Sequence, residues 1–353
     1  MSEVLPGFRS ERRLRVSFVG CGDHSFRNVY PALRYAPVEL ISVCDVDADR
    51  AEAYRRQFGA EHARVDHRDL LADELDAVFV VTGLVDGRTT HADIAVDLLG
   101  HGLSTWTEKP PVNDLDEVAR LRDAIAASGA TYAVGFKKAF APANRRLHTL
   151  MDRPEFGTLR TLTLRYPQPI PTPEQMEGSW AAAAFHDHLG HPTSLLRMLA
   201  GPTRALRYSR AEDGTGFVTL HLESGALASL HLGPVIYRGG LGERTEANGD
   251  GASIVVDNGA VVTWIPHGDM PRYGRGADFT DQPGVTRWEP EFSLGQLYNK
   301  GVFLLGYHDE IAHFCQAVLD GRQVEVGGID YAEEFIRIHD AFRQGPDRLV
   351  ELC

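Results

Sequence analysis

Between Phe185 and Leu199 the chain reads FHDHLGHPTSLLRML, which crowds His186, Asp187, His188 and His191 into little more than one helical turn and a half. Such a group could hold a metal, could supply a catalytic base with its support, or could be polar decoration on a helix. Zinc needs three or four convergent ligands. The spacing here is not a usual ligand spacing, and Pro192 falls directly behind the last histidine, so no metal is expected. A second chemical signal is VGCGDHS at 19–25, between a strand pattern and a helix pattern. Gly20 and Gly22 supply the G-x-G of a dinucleotide fingerprint, whose tight turn brings the backbone around Asp23, His24 and Ser25 to a pyrophosphate at a helix N-terminus. Ser25 stands where the third glycine is usual. Asp45 ends the next strand pattern, where a carboxylate accepts hydrogen bonds from the adenosine ribose and repels a 2′-phosphate, so NAD is expected over NADP. The competing reading makes Asp45 a turn former or helix cap.

Lysine is scarce. Of 36 basic residues only Lys109, Lys137, Lys138 and Lys300 are lysines. Arginine is the general cation of this chain, so a lysine raises the question of a compact, deprotonatable ammonium. Chance placement remains open for Lys300.

The elements that must position these residues are legible from periodicity. RVSFVG (15–20), ELISVCD (39–45), DAVFVVTG (76–83), STWTEK (104–109) and ATYAVGF (130–136) are apolar runs separated by helical patterns, which predicts βαβ units and a parallel sheet. After Phe136 the pattern changes. TLRTLTLRYP (158–167) alternates in period two, as an antiparallel strand with one wet face does. GFVTLHLESGALASLHLG (216–233) predicts a hairpin turning at 223–225, and GASIVVDNGAVVTWIP (251–266) another at Asp257-Asn258-Gly259. The segment 267–295 is rich in Gly, Pro and Asp and predicts a long loop. Two helical patterns and a short strand, RLVEL, close the chain. The expected organisation is an α/β Rossmann domain over 1–136 and an α+β domain with an open, largely antiparallel sheet over 137–353, whose last helix could pack back on the first.

At 353 residues with 43% hydrophobic and 24% charged content, the chain has the composition of a soluble globular protein of about two domains. A formal charge of −13 argues against nucleic acid as a partner. No apolar run reaches the ~20 residues of a membrane span, and no apolar h-region precedes the first strand pattern. Cytoplasmic residence is the expectation. Four scattered cysteines without a CxxC pair predict buried free thiols.

Gly20-Cys21-Gly22-Asp23-His24, Tyr30-Pro31-Ala32-Leu33, Asp45, Glu108-Lys109-Pro110, Val134-Gly135-Phe136 and Tyr307-His308-Asp309-Glu310 together resemble the Gfo/Idh/MocA oxidoreductases, relatives of glucose–fructose oxidoreductase and inositol dehydrogenase. The resemblance covers nearly the whole chain. It implies a Rossmann domain that binds NAD, with Thr82, Glu108, Lys109 and Pro110 added to the cofactor contacts, and an open-sheet domain that forms homodimers or homotetramers. It also implies hydride transfer between nicotinamide and a secondary alcohol or ketone of a sugar, aminosugar or cyclitol.

The family's Asp-x-x-x-His-x-x-Asp helix aligns with Asp187, His191 and Ser194. By this resemblance His191 is the acid/base, Lys109 the electrostatic partner, and Asp187 an orienter or acceptor of a substrate hydroxyl. Proton transfer from a secondary alcohol needs a positioned base, and histidine titrates near neutrality. Pro192 suggests that the helix starts near Leu189, which would make the Asp187–His191 spacing only approximate. Two departures bear on the substrate. Ser194 replaces a common aspartate, and SWAAAAF replaces a glycine-rich run. Lys137 and Lys138 are candidate substrate contacts, against a solvated domain boundary. Trp180, Tyr298 and Tyr307 are candidate platforms for a sugar face, against core packing. The rival functions are a non-redox reaction through transient oxidation, as in NAD-dependent glycosidases or epimerases, and a catalytically silent dinucleotide sensor.

Overall fold

The computed structural model describes residues 12–234, 242–267, 284–290 and 300–352. Its strands, among the described residues, are β1 (Leu14–Val19), β2 (Val38–Cys44), β3 (His62–Arg64), β4 (Ala77–Val80), β5 (Ser104–Glu108), β6 (Tyr132–Gly135), β7 (Leu159–Tyr166), β8 (Thr203–Arg210), β9 (Gly216–Leu222), β10 (Leu227–Leu232), β11 (Arg244–Gly249), β12 (Ala252–Asp257), β13 (Val261–Pro266), β14 (Thr286–Trp288) and β15 (Val350–Glu351). The helices are α1 (Tyr30–Leu33), α2 (Ala48–Phe58), α3 (His91–Gly100), α4 (Leu115–Ser128), α5 (Lys137–Phe140), α6 (Pro142–Met151), α7 (Trp180–Ala200), α8 (Lys300–Leu304), α9 (Tyr307–Leu319) and α10 (Ile329–Arg343). The chain forms two compact units. One contains residues 1–140, 178–194 and 299–339; the other contains 141–177, 195–298 and 340–353.

The first unit is built on a six-stranded parallel sheet in the order β3-β2-β1-β4-β5-β6. Strands β1 and β4 are buried almost throughout, which is why they read as continuous apolar runs. Phe18, Phe79 and Trp106 line one face of the sheet, where Tyr307, Ile311 and Phe314 of α9 join the same core. The edge strand β3 escaped the sequence reading because HAR is short and polar. It is the outermost strand and only partly buried, so no apolar pattern marks it.

The second unit holds a nine-stranded sheet in the order β14-β13-β12-β11-β7-β10-β9-β8-β15. Every pairing in it is antiparallel except β7 with β10. β7 thus has one parallel and one antiparallel neighbour, which period-two alternation alone does not distinguish. Both expected hairpins form. Asn258 and Gly259 adopt φ of 53° and 64°, as a primed turn demands. β9 and β10 alternate buried and more exposed residues, as a sheet with one core face does, and β8 does so from Leu206 onward, after the register shift at Thr203–Ala205.

Two expectations need correction. The chain is not divided by a single cut after Phe136, because the first half of α7 and the segment 299–339 belong with the parallel sheet. Their apolar faces, Phe185 and Leu189 on α7 and Ile311 and Phe314 on α9, are fully buried there. Nor does α7 begin near Leu189. It starts at Trp180 and carries Pro192 in its interior. The Ser179 hydroxyl accepts from the Ala182 N–H at 3.2 Å, and the following alanines are the best helix formers available. That start outweighs the single hydrogen bond proline removes.

Candidate active site

The glycine-rich turn follows β1. Gly20 has φ +100°, and a Cβ there would lie 2.0 Å from the Val81 carbonyl oxygen, so only glycine fits. Above Gly22 the space is open, with no atom within 4 Å of a Cβ position. Ser25 is fully buried and its hydroxyl donates to the Gly20 carbonyl at 2.7 Å. Its side chain therefore clasps the turn rather than facing a ligand, which explains how a serine replaces the third glycine. Asp23 is exposed and reaches Arg27 at 3.5 Å.

Asp45 is 7% exposed. One oxygen accepts from the Cys21 N–H at 2.8 Å and the other from the Asp47 N–H at 3.0 Å, so it ties the end of β2 to the glycine turn. The competing turn-former reading thus describes part of its work. Arg50 stands 3.6 Å away and offsets some of the repulsion a 2′-phosphate would meet. The open backbone at Gly22, the acidic end of β2 and the helix that follows fit a dinucleotide laid across the strand ends.

At the end of β5, Glu108 is 4% exposed and collects two donors. The Lys109 N–H donates at 2.7 Å, and His24 from the glycine turn sits at 2.9 Å. Asn28 reaches the other nitrogen of His24 at 3.3 Å. Burial opposes the charge on Glu108, but the His24 hydrogen bond and the ammoniums of Lys109 and Lys137 overrule it and hold the carboxyl at about 2. The Lys109–Pro110 peptide is cis. His91, at the start of α3, accepts the Thr82 N–H at 3.1 Å and donates through its other nitrogen to the Pro110 carbonyl at 2.9 Å. It pins the Glu-Lys-Pro turn to the end of β4. Its role escaped the sequence reading, since a histidine opening a helix carries no signal of a partner 19 residues away. The Thr82 hydroxyl meets that of Thr90 at 2.9 Å.

Lys109 Nζ donates to Asp187 Oδ1 at 2.7 Å. Because α7 runs unbroken, Asp187 and His191 are true i,i+4 neighbours. Gly190 lets the helix come close. A Cβ there would lie 3.2 Å from the Phe136 ring and 3.7 Å from Lys109 Cβ. His191 is 6% exposed. Burial first, then the ammoniums of Lys137, Lys109 and Lys138, push its pKa well below the ordinary histidine value. The titration expected near neutrality is therefore displaced to the acid side, and His191 is a neutral imidazole at pH 7.

The other histidines separate from this pair. His188 is half exposed, bonded to the Ala184 carbonyl at 2.9 Å and 3.4 Å from Asp187. His186 turns inward, its ring 4.8 Å from His339 and 5.1 Å from Phe335, and burial depresses it to about 3. Among the described residues, no three His, Cys, Asp or Glu side chains could hold a metal.

Lys137 opens α5 and donates to the Tyr307 hydroxyl at 2.5 Å, with its ammonium 4.4 Å from that ring's centre. Burial lowers its pKa, against the pull of Glu108. Lys138 is 5% exposed, so the solvated boundary weighed against substrate contact at 137–138 is not what forms. Tyr307 is 1% exposed and its ring lies 5.9 Å from His24, which makes it a packed support of the site rather than an open platform. Ser194 is also buried, its hydroxyl turned back to the His191 carbonyl at 3.1 Å. Trp180 is 84% exposed at the start of α7. Tyr298 lies outside the described residues. Lys300 begins α8.

Residues 14–136 match the model of the Gfo/Idh/MocA oxidoreductase family, described as having an NAD-binding Rossmann fold. An uncharacterized oxidoreductase, YrbE, of Bacillus subtilis is 24% identical over 335 residues, covering 90% of each chain. A dTDP-3,4-didehydro-2,6-dideoxy-alpha-D-glucose 3-reductase of Actinomadura kijaniata is 23% identical, covering 94% of this chain and 95% of its own. Among solved structures, a dehydrogenase from Chromobacterium violaceum superposes with a TM-score of 0.80 at 20% identity, over 95% of this chain and 96% of its own. GenD2 from gentamicin A biosynthesis, in complex with NAD, gives 0.71 at 25% identity over 96% of both. Together with the geometry of the glycine turn, these matches make residues 14–136 similar to the NAD-binding Rossmann domain of the Gfo/Idh/MocA oxidoreductases, and the chain an enzyme of the dehydrogenase/reductase class.

Proposed function

We propose that the chain as a whole is a Gfo/Idh/MocA enzyme that moves a hydride between NAD and a secondary alcohol or ketone of a sugar, aminosugar or cyclitol. The observation that carries this reading is the Lys109–Asp187 contact with His191 one turn further along α7. Bound NAD would supply the hydride acceptor, and the glycine turn, Asp45 and Glu108 would hold it. Lys109 stabilises the oxyanion that develops at the reacting carbon, and Asp187 accepts from a neighbouring hydroxyl. His191, neutral at pH 7, takes the alcohol proton. The imidazolium so formed is disfavoured by burial and by three lysines, so it passes the proton on readily. The carbohydrate class draws support from the dideoxy-glucose reductase named above, and the choice of NAD from GenD2 of gentamicin A biosynthesis, whose structure holds NAD. We assign the open nine-stranded sheet to homodimer or homotetramer contacts on the same family likeness.

Lys109→Ala tests the assignment. It is expected to lower kcat by about 10²–10³-fold while NAD affinity, measured by calorimetry, stays within about threefold. Near-normal turnover would remove Lys109 from its role. The same assay run with NADP tests the cofactor choice, since Asp45 favours NAD. Higher kcat/KM with NADP would show that Arg50, not Asp45, governs the ribose end. Substrate turnover without net NADH would instead point to transient oxidation.

A further inference from the structure

Between β4 and α3 the chain makes a small hairpin that the function above does not use. Val85 and Arg88 exchange backbone hydrogen bonds of 2.8 and 3.0 Å across Asp86 and Gly87. Those two residues have φ of 51° and 77°, the signature of a two-residue primed turn. The hairpin is held at its base. Asn113 accepts the Thr89 N–H at 3.0 Å and donates to the Thr89 carbonyl at 2.8 Å, and the Arg88 guanidinium is drawn to Asp114 at 3.2 Å. It is therefore a fixed projection and not a slack loop.

Its tip meets the helix that carries the candidate catalytic residues. A Cβ at Gly87 would lie 3.7 Å from the Ala183 Cβ. Ala183 is three residues after Trp180 and four before Asp187, so all three share one stripe of α7. The hairpin tip thus meets the stripe of α7 on which Trp180 and Asp187 also lie. The hairpin presents Leu84 at 38% exposure and Val85 at 58%, and the helix presents Trp180 at 84%. Single exposed apolar residues are ordinary; here three lie on two elements that meet at Gly87 and Ala183.

We propose that the hairpin 84–88 and Trp180 form an apolar subsite beside Asp187 that takes an alkyl or aryl substituent of the substrate. The enzyme then favours a glycoside or otherwise substituted sugar over a free polyol. The proposal rests on the function above only for the position of the reacting ring. Leu84 and Val85 offer no hydrogen bond, so a hydroxyl pressed against them would lose its water without replacement. An alkyl or aryl group loses nothing, and the indole gives an aromatic ring a stacking partner. Because the hairpin is already ordered, little conformational entropy is lost when the subsite fills.

Calorimetry on the NAD-loaded full chain tests this without requiring turnover. The probes are phenyl and methyl glycosides of glucose, galactose and mannose. At least one phenyl glycoside is expected to bind about tenfold or more tightly than its methyl counterpart, the range one well-filled apolar subsite supplies. That ratio should fall to about one in both Trp180→Ala and Val85→Ser, with NAD affinity unchanged. If no phenyl glycoside outbinds its methyl partner, or the ratio persists in both variants, the subsite is absent. Failure of the hydride-transfer reading would appear separately, as an unaltered NADH rate in Lys109→Ala.

Discussion

Glu310 shows how a residue with no assigned chemistry can still report on a site. It is 2% exposed, in the first turn of α9, and neither carboxyl oxygen has a hydrogen-bond partner among the described residues. Burial, and then the negative charge of Glu108, raise its pKa well above the ordinary carboxyl value, only partly opposed by Lys137. A carboxyl raised in the folded state binds its proton more tightly there than in the unfolded chain. Its contribution to stability is complete below about pH 4.5 and is lost as pH rises through the folded value. Glu310→Gln cannot ionise. Its Tm relative to wild type should therefore climb between pH 5 and pH 8, by roughly 2–4 °C for each 1 kcal/mol relieved. A Tm difference that is flat across that range would place the Glu310 charge elsewhere. At this scale the candidate residues Lys109, Asp187 and His191 came from the family resemblance, and the structure brings Lys109 and Asp187 into contact with His191 one turn further along α7. The burial of Glu310 and of His91 was not read there, although Glu310 was part of the Tyr307–Glu310 motif, because a polar residue in a helix reads as solvent-facing until its neighbours are known.

At the scale of elements, α7 carries the candidate catalytic residues Asp187 and His191, and its approach to the Glu-Lys-Pro turn depends on a missing side chain. Gly190→Val would drive methyl groups into the Phe136 ring, where even a Cβ stands at 3.2 Å. Overpacking of this kind costs about 1–3 kcal/mol. Thermal unfolding should show a lower Tm, and kcat should drop because Lys109 and Asp187 are moved apart. A Tm equal to or above wild type would mean the helix has slack that the contact distances deny. The sequence misjudged this element at its start. Pro192 suggested a boundary, yet one lost hydrogen bond is outweighed by the alanine run and by burial of Phe185 and Leu189. The hairpin 84–88 was likewise hidden, because Asp86-Gly87 lies between residues with no strand-like alternation.

At the scale of the whole molecule, the parallel-sheet unit is acid-sensitive by construction. His91, His186 and His191 are all lowered by burial, His186 to about 3. The unfolded chain takes up these protons as pH falls below about 6.5, while the folded unit resists them. Stability from these groups is present above that pH and is lost as pH falls, at roughly 1.4 kcal/mol per pH unit for each histidine. Urea midpoints should drop between pH 7 and pH 5.5, and less steeply in His186→Phe, whose ring suits the pocket beside Phe335. A midpoint unchanged over that range would contradict the burial of these imidazoles.

The sequence by itself determined the alternating strands and helices of the parallel sheet apart from β3, the change to a largely antiparallel sheet, the hairpin at Asn258-Gly259, and the types of residue available for chemistry. These depend on local periodicity and on turn residues, which are written in neighbouring positions. Only the tertiary structure decided which partners each of the clustered polar residues meets. Asp187 meets Lys109 across 78 positions of sequence, His186 is buried against α10, and Ser194 turns back onto its own helix. Those outcomes follow from which face of α7 is pressed against the cis turn at Pro110. Packing between distant segments sets that choice, and no local pattern records it.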